Sequence, residues 1–186
     1  MWDQFNNPEL QGRLQLIAGY LANKLHGKCI LDLNCGTAPL LDWLPTDPVD
    51  WGWYHGNDTN QEFVERCREK GLRYTSFYAI PDDKMIVVPS WATLDLDILL
   101  CLGYAAHLNE HESSTLDRSL VKIVKECRPE IVIIEAWAGL PKECNLGGVL
   151  AELARLGYAI AYSWFVKPTT ETGLYQDRVI YILEWK

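Results

Sequence analysis

The chain has 186 residues, 48% of them hydrophobic and 23% charged, which suits one globular domain over residues 1–186 and leaves no room for a second. Net charge is −8, and the 17 basic residues are scattered rather than gathered into a stripe, which argues against nucleic acid as the main partner. The start MWDQFNNPE lacks the basic and apolar parts of a signal peptide, and no apolar run approaches membrane-spanning length. With six cysteines and no CxxC pair, these features lead to the expectation of a cytoplasmic protein with reduced, mostly buried thiols.

Asn7, Pro8 and Glu9 open a helix in which Leu10, Leu14, Ile17, Leu21 and Leu25 recur at helical spacing up to Gly27, giving an N-terminal helical cap over residues 1–27. An apolar strand at 29–33 runs into a turn built on Asn34, Cys35 and Gly36, followed by a short helix from Pro39 to Leu44. Pro39 suits a first helical position, where its missing N–H costs nothing. Trp51 to His55 is the expected second strand, ahead of Gly56, Asn57 and Asp58, and a helix follows from about Gln61 to Lys70, with Gly71 as its stop.

A third strand is expected over Arg73 to Tyr78, and the continuous apolar run at 96–102 has the character of a strand in the middle of a parallel sheet. Leu116, Leu120, Ile123 and Cys127 mark a helix before the buried strand IVIIE, and a last helix through Leu146, Val149, Leu150, Leu153 and Leu156 precedes YAIAYSWFV and RVIYILEW. Strands alternating with helices mean a parallel sheet with right-handed crossovers. The segment KPTTETGLYQD is too short and polar for a crossover helix, so the last two strands are expected to pair antiparallel. The expected fold class is therefore α/β, a seven-stranded, mostly parallel, doubly wound sheet with an antiparallel C-terminal hairpin.

A strand that ends in a tight turn and feeds a helix is a common way to hold a nucleotide-like ligand. The segment CILDLNCGTA resembles the first motif of the class I S-adenosylmethionine-dependent methyltransferases, the Rossmann-like methyltransferase superfamily, in which an acid is followed by alternating glycines. Asp32 and Gly36 match it. Asn34 stands where the family has its first glycine and Ala38 where it has its last; Asn is the non-glycine residue that best tolerates positive φ, and Ala still permits close helix contact. Gly56-Asn57-Asp58-Thr59 looks like the second motif, with Asp58 slightly farther from Asp32 than the usual ~20 residues. In that role Asp58 accepts hydrogen bonds from ribose hydroxyls; as an alternative it caps the next helix.

The resemblance implies S-adenosylmethionine as cofactor, with Asp32, Asn34, Cys35 and Gly36 at its amino-acid end, Asp58 and Thr59 at the ribose, and backbone around Ala79 and Ile80, or Asp82, at the adenine. The acid often found on the third strand is replaced by Ile80. DILLCLGYAAHL looks like the fourth motif, where Leu102 and Gly103 would line the sulfonium; Cys101 is read as packing, not as a nucleophile. At the mouth of the same crevice His107 is a candidate base, with Tyr104 beside it; as an alternative His107 hydrogen-bonds across a loop to the next helix. Glu135 could orient a cationic substrate and Trp137 could stack on it, each having a structural role as its alternative. Trp2 and Phe5 could cover the cofactor.

No His, Cys, Asp and Glu cluster has metal-ligand spacing, so no metal site is expected. The implied activity is in-line methyl transfer to a small molecule or a protein side chain. Two rivals stand beside it: a methyltransferase-like binding or scaffold protein without catalysis, and a nicotinamide-dependent oxidoreductase, disfavoured by the missing GxGxxG spacing and by the closing hairpin.

Overall fold

The structure, a computed structural model, describes residues 8–45, 52–79, 95–104, 110–137, 145–167 and 177–186. Seven strands form one sheet: β1 (Cys29–Leu33), β2 (Trp53–Asp58), β3 (Thr75–Ala79), β4 (Leu96–Tyr104), β5 (Ile131–Trp137), β6 (Tyr158–Val166) and β7 (Arg178–Trp185). Their order is β3-β2-β1-β4-β5-β7-β6. The pairs β1–β2, β1–β4, β2–β3 and β4–β5 are parallel, while β7 runs antiparallel to both β5 and β6. The expected α/β sheet with its terminal hairpin is what the chain forms. Strand order reverses between β1 and β4, and in such sheets ligands bind in the crevice beyond the carboxyl ends of the strands at that point.

Helices cover both faces. On one face lie α1 (Pro8–Leu21), a short 3-10 helix (Pro39–Asp42) and α2 (Gln61–Glu69), which meet Ile30, Tyr54, Phe77, Ile98, Leu100, Ile131 and Ile133 of the sheet. On the other lie α3 (Glu110–Cys127) and α4 (Leu146–Arg155), packed on Leu31, Leu33, Leu99, Cys101, Val132 and Ile134. The alternation along β1, β4 and β5 follows from the period of two in a strand, and burial on both sides explains why these strands are largely apolar, with Asp32, Asp97 and Glu135 as the charged exceptions.

Boundaries differ from the sequence expectation in several places, among them β3, which begins at Thr75 rather than Arg73, and β5, which continues past Glu135 to Trp137. Helix α1 ends at Leu21 rather than near Gly27; Leu25 is still buried, but in a turn closed by Lys24 N–H to Leu21 O and Lys28 N–H to Leu25 O. Strand β2 begins at Trp53 and runs through Gly56, Asn57 and Asp58, residues of low strand propensity held there by ladders to β1 and β3 on either side. The helix after Pro39 is a single 3-10 turn with Pro39 in its first turn, and β4 continues to Tyr104. Among the described residues no helix is long and apolar enough to cross a membrane.

Candidate functional site

The turn after β1 has a left-handed backbone at every second residue: φ is 55° at Asn34, 57° at Gly36 and 49° at Ala38. Its amides are hooked to the end of the neighbouring strand. Asn34 N–H donates to Asn57 Oδ1 at 3.3 Å, Cys35 N–H to the Asn57 carbonyl at 2.8 Å, and Gly36 N–H to Asp58 Oδ2 at 2.8 Å. Gly56 makes this approach possible, since a Cβ there would stand 2.7 Å from the Phe77 ring and 2.8 Å from the Cys35 sulfur. Lys70 closes the far side, donating to the Ala38 carbonyl at 3.0 Å and to Asp42 at 2.9 Å.

Asp58, the last residue of β2, also accepts from Asn60 N–H through Oδ1 at 2.9 Å. The helix cap is Asn60, whose side chain accepts from Glu62 N–H, so capping α2 is not the direct job of Asp58. A carboxylate oxygen has two lone pairs, so accepting from an amide does not by itself bar Asp58 from accepting from a ligand hydroxyl.

Beneath the turn lies a buried polar cluster. The Tyr54 hydroxyl donates to Asp32 Oδ2, and both residues are buried. Asp32 Oδ1, also buried, has no hydrogen-bond partner among the described residues. Burial pushes the Asp32 carboxyl up to about 7, against the Tyr54 hydrogen bond and with the help of nearby Asp58. The thiols of Cys35 and Cys67 both contact the Gly36 carbonyl, at 3.5 and 3.3 Å. Their mutual hydrogen bond, ahead of burial, raises the Cys35 thiol and lowers that of Cys67. Burial raises Cys101 well above the ordinary thiol range, leaving it a protonated packing residue.

The sequence-derived candidates Asp32, Asn34, Cys35, Gly36, Asp58 and Thr59 are thus gathered at the adjoining ends of β1 and β2, with Thr59 exposed. On the other side of β1, Leu102 is half-buried, and Gly103 and Tyr104 complete β4 beyond a register shift between Cys101 and Tyr104. Ile80, Asp82, His107, Trp2 and Phe5 lie outside the described residues, as does the side chain of Trp137.

Glu135 is buried on the α1 side of β5, where it meets the guanidinium of Arg13 from α1 and that of Arg178 from β7 at 3.7 Å. Its carboxylate, expected to face a cationic substrate, is already matched by two arginines of the chain itself. Sequence reasoning did not single out Tyr54, Arg13 or Arg178, and it named Asn57 only as part of the second motif, with no role of its own. Tyr54 was within reach, since it precedes Asp58 on the same strand, but it acts on β1, and Asn57 on the turn after β1, neighbours that pattern alone does not assign.

No family model matches the sequence, and a search of curated proteins finds no significant match. Solved structures do match. An S-adenosylmethionine-dependent methyltransferase from Geobacter sulfurreducens, crystallised with S-adenosyl-L-homocysteine, superposes with a TM-score of 0.64 at 17% identity, covering 100% of this chain and 95% of that one. The [4+2]-cyclase SpnF gives 0.64 at 16% identity over 93% of this chain and 80% of its own. Sp1610 of Streptococcus pneumoniae, a proposed tRNA (m1A22) methyltransferase, gives 0.59 at 13% identity over 93% and 69%. With the β3-β2-β1-β4-β5-β7-β6 sheet and its left-handed turn after β1, the chain has the class I fold of the S-adenosylmethionine-dependent methyltransferases.

Proposed function

We propose that the chain binds S-adenosylmethionine at the ends of β1, β2 and β4 and transfers its methyl group to a small molecule or a protein side chain. One observation carries this. The backbone is left-handed at 34, 36 and 38, the three positions where the resembled motif has glycine, although two of them hold Asn and Ala. A left-handed Ala costs roughly 1 kcal/mol, so the conformation is held against local preference.

The residues present fit the cofactor. Asp32 offers a buried carboxylate oxygen that lacks a partner among the described residues, which suits an ammonium group. Asp58, with Thr59 beside it, suits ribose hydroxyls, and Asn34, Cys35 and Gly36 form the wall along the amino-acid end. Backbone near Ile80 is assigned to the adenine, and Leu102 and Gly103 to the sulfonium. When bound, the cofactor supplies a methyl group already activated by its sulfonium. The chain then has to align the acceptor, exclude water and take up a proton, and the last of these falls to His107 with Tyr104 beside it. Glu135 is better placed to order Arg13 and Arg178 than to receive a cation.

A net charge of −8 favours an acceptor other than nucleic acid, although Sp1610 shows that the fold itself accommodates an RNA methyltransferase assignment. A second reading is binding or scaffolding without methyl transfer. It is favoured by Asp58, whose two oxygens already serve Gly36 and Asn60. The cyclase SpnF likewise has this fold under a different reaction name.

Calorimetry with S-adenosylmethionine, S-adenosylhomocysteine and NAD separates these readings. Binding of the first two and not of NAD is expected; no binding of any at millimolar concentration establishes the scaffold reading. Asp58→Ala should weaken S-adenosylhomocysteine binding at least tenfold, about the loss of one charge-assisted hydrogen bond. His107→Ala should lower turnover more than cofactor affinity. Labelled S-adenosylmethionine added to cell extract with the purified protein, followed by mass spectrometry, then identifies the acceptor.

A further inference from the structure

We propose that Tyr54 is a positioning residue of the cofactor site: it holds one oxygen of Asp32 so that the other receives the ammonium of the cofactor's amino-acid end, and cofactor binding thereby expels a proton from Asp32. The proposal rests on the cofactor assignment above.

Tyr54 sits on β2 paired with Ile30, and Asp32 lies two residues along β1, paired with Gly56. The Tyr54 ring packs in the core against Phe77, with ring centroids 6.1 Å apart, and its hydroxyl reaches Asp32 Oδ2. As core filling a phenylalanine would serve as well, since a buried hydroxyl costs free energy unless it is bonded. The hydroxyl therefore belongs with the acid.

Asp32 is 1% exposed. Among the described residues, the titratable groups that bear on it are Tyr54 and Asp58 from β2, Cys35 from the turn, Cys67 from α2 and Cys101 from β4. None of these is a cation. An ionised carboxylate in such a place, with Asp58 nearby and one oxygen unbonded among the described residues, is costly. The acid keeps its proton until a cation arrives, and an arriving ammonium makes the carboxylate the favoured form. Proton release on binding follows from linkage.

The direction is fixed by the raised pKa. In the ligand-free protein Asp32 is protonated below about 7, so affinity for an ammonium ligand rises with pH toward 7 and then levels. A hydroxyl that donates to the carboxylate stabilises its ionised form. Without it, Asp32 titrates higher and the rise in affinity moves to higher pH.

The test is calorimetry of S-adenosylhomocysteine binding to the full chain between about pH 5.5 and 7.5, below the ~7.7–8.0 at which an α-amino group loses its own proton. Buffers of different ionisation enthalpy count the protons. The wild-type protein should release up to one proton per ligand at the acid end, with affinity rising across the window. Tyr54→Phe should shift the midpoint up by about one pH unit and weaken binding about tenfold at the acid end of the window, falling to about fivefold near pH 7. Asp32→Asn should bind weakly, with no proton release and a flat profile. 5′-Methylthioadenosine, which lacks the amino-acid end, should bind with no pH dependence.

A wild-type affinity that is flat across the window overturns the proposal without need of any variant, as does a Tyr54→Phe profile that superimposes on wild type. In both cases S-adenosylhomocysteine still binds, and the cofactor assignment stands. Failure of S-adenosylhomocysteine and 5′-methylthioadenosine alike to bind overturns that assignment and this proposal together.

Discussion

Gly36 has a φ of 57° and open space where a Cβ would stand, whereas Gly56 has no left-handed backbone but would press a Cβ to within 2.7 Å of Phe77 and 2.8 Å of the Cys35 sulfur. Two glycines one strand apart are thus required for different reasons. Gly36→Ala should cost roughly 1 kcal/mol, the price of left-handed backbone in an L-residue, and nothing for packing. Gly56→Ala should cost about 1–3 kcal/mol through overpacking and should also push Cys35, and the turn with it, away from β2. Urea unfolding of both variants checks the order. An equal or smaller loss for Gly56→Ala would mean that Phe77 and Cys35 move aside freely and that the turn is not wedged against β2.

The elements of the site act as a unit made of β2, the turn and the start of α2, because Asp58 bonds Gly36 of the turn and Asn60 of the helix cap together. Replacing Asn60 by Ala removes the acceptor for Glu62 N–H and should lower stability by about 1 kcal/mol without touching ribose binding. Replacing Asp58 by Ala leaves two amides without their acceptor, at about 1–3 kcal/mol for the half-buried Gly36 and less for the exposed Asn60, and removes the proposed ribose acceptor as well. Chemical unfolding paired with S-adenosylhomocysteine titration distinguishes the two. If Asn60→Ala weakens the ligand as much as Asp58→Ala, then Asp58 acts by ordering α2 rather than by touching the ribose. Much of this unit was legible in the sequence: β1, the turn, the acid at the end of β2 and the helix stop at Gly71 all carry local signals. What was not legible is non-local. Leu25 keeps helical spacing although the helix has already ended at Leu21, and β2 extends over Gly56, Asn57 and Asp58 because strands on both sides complete its ladder. The Tyr54–Asp32 and Arg13–Glu135–Arg178 contacts join elements whose adjacency appears only once the strand order is known.

For the molecule as a whole, two buried titratable groups on neighbouring strands oppose each other in the pH dependence of stability. Asp32 has its folded pKa raised by burial from 3.8 to about 7, so between those values the folded state holds a proton that the unfolded state gives up, and stability falls as pH rises. His55, buried on β2 with Nδ1 2.5 Å from Ser76 Oγ, has its folded pKa lowered by burial from 6.5 to about 4. In that interval the unfolded state holds the extra proton, and stability rises with pH. Each contribution amounts to a few kcal/mol at most, about 1.4 kcal/mol for every pH unit between the folded and unfolded values. The wild-type profile between about pH 4 and 6.5 should therefore be flatter than either variant's. Thermal or urea unfolding across that window should show stability climbing with pH in Asp32→Asn, where the His55 slope stands alone, and falling with pH in His55→Gln, where the Asp32 slope does. Saturating S-adenosylhomocysteine should convert Asp32 to the carboxylate and give the wild-type protein the rising profile of Asp32→Asn. If wild type and Asp32→Asn instead superimpose without ligand, Asp32 is ionised in the folded protein and its buried oxygen is compensated from within the chain, so that the ammonium has no proton to displace.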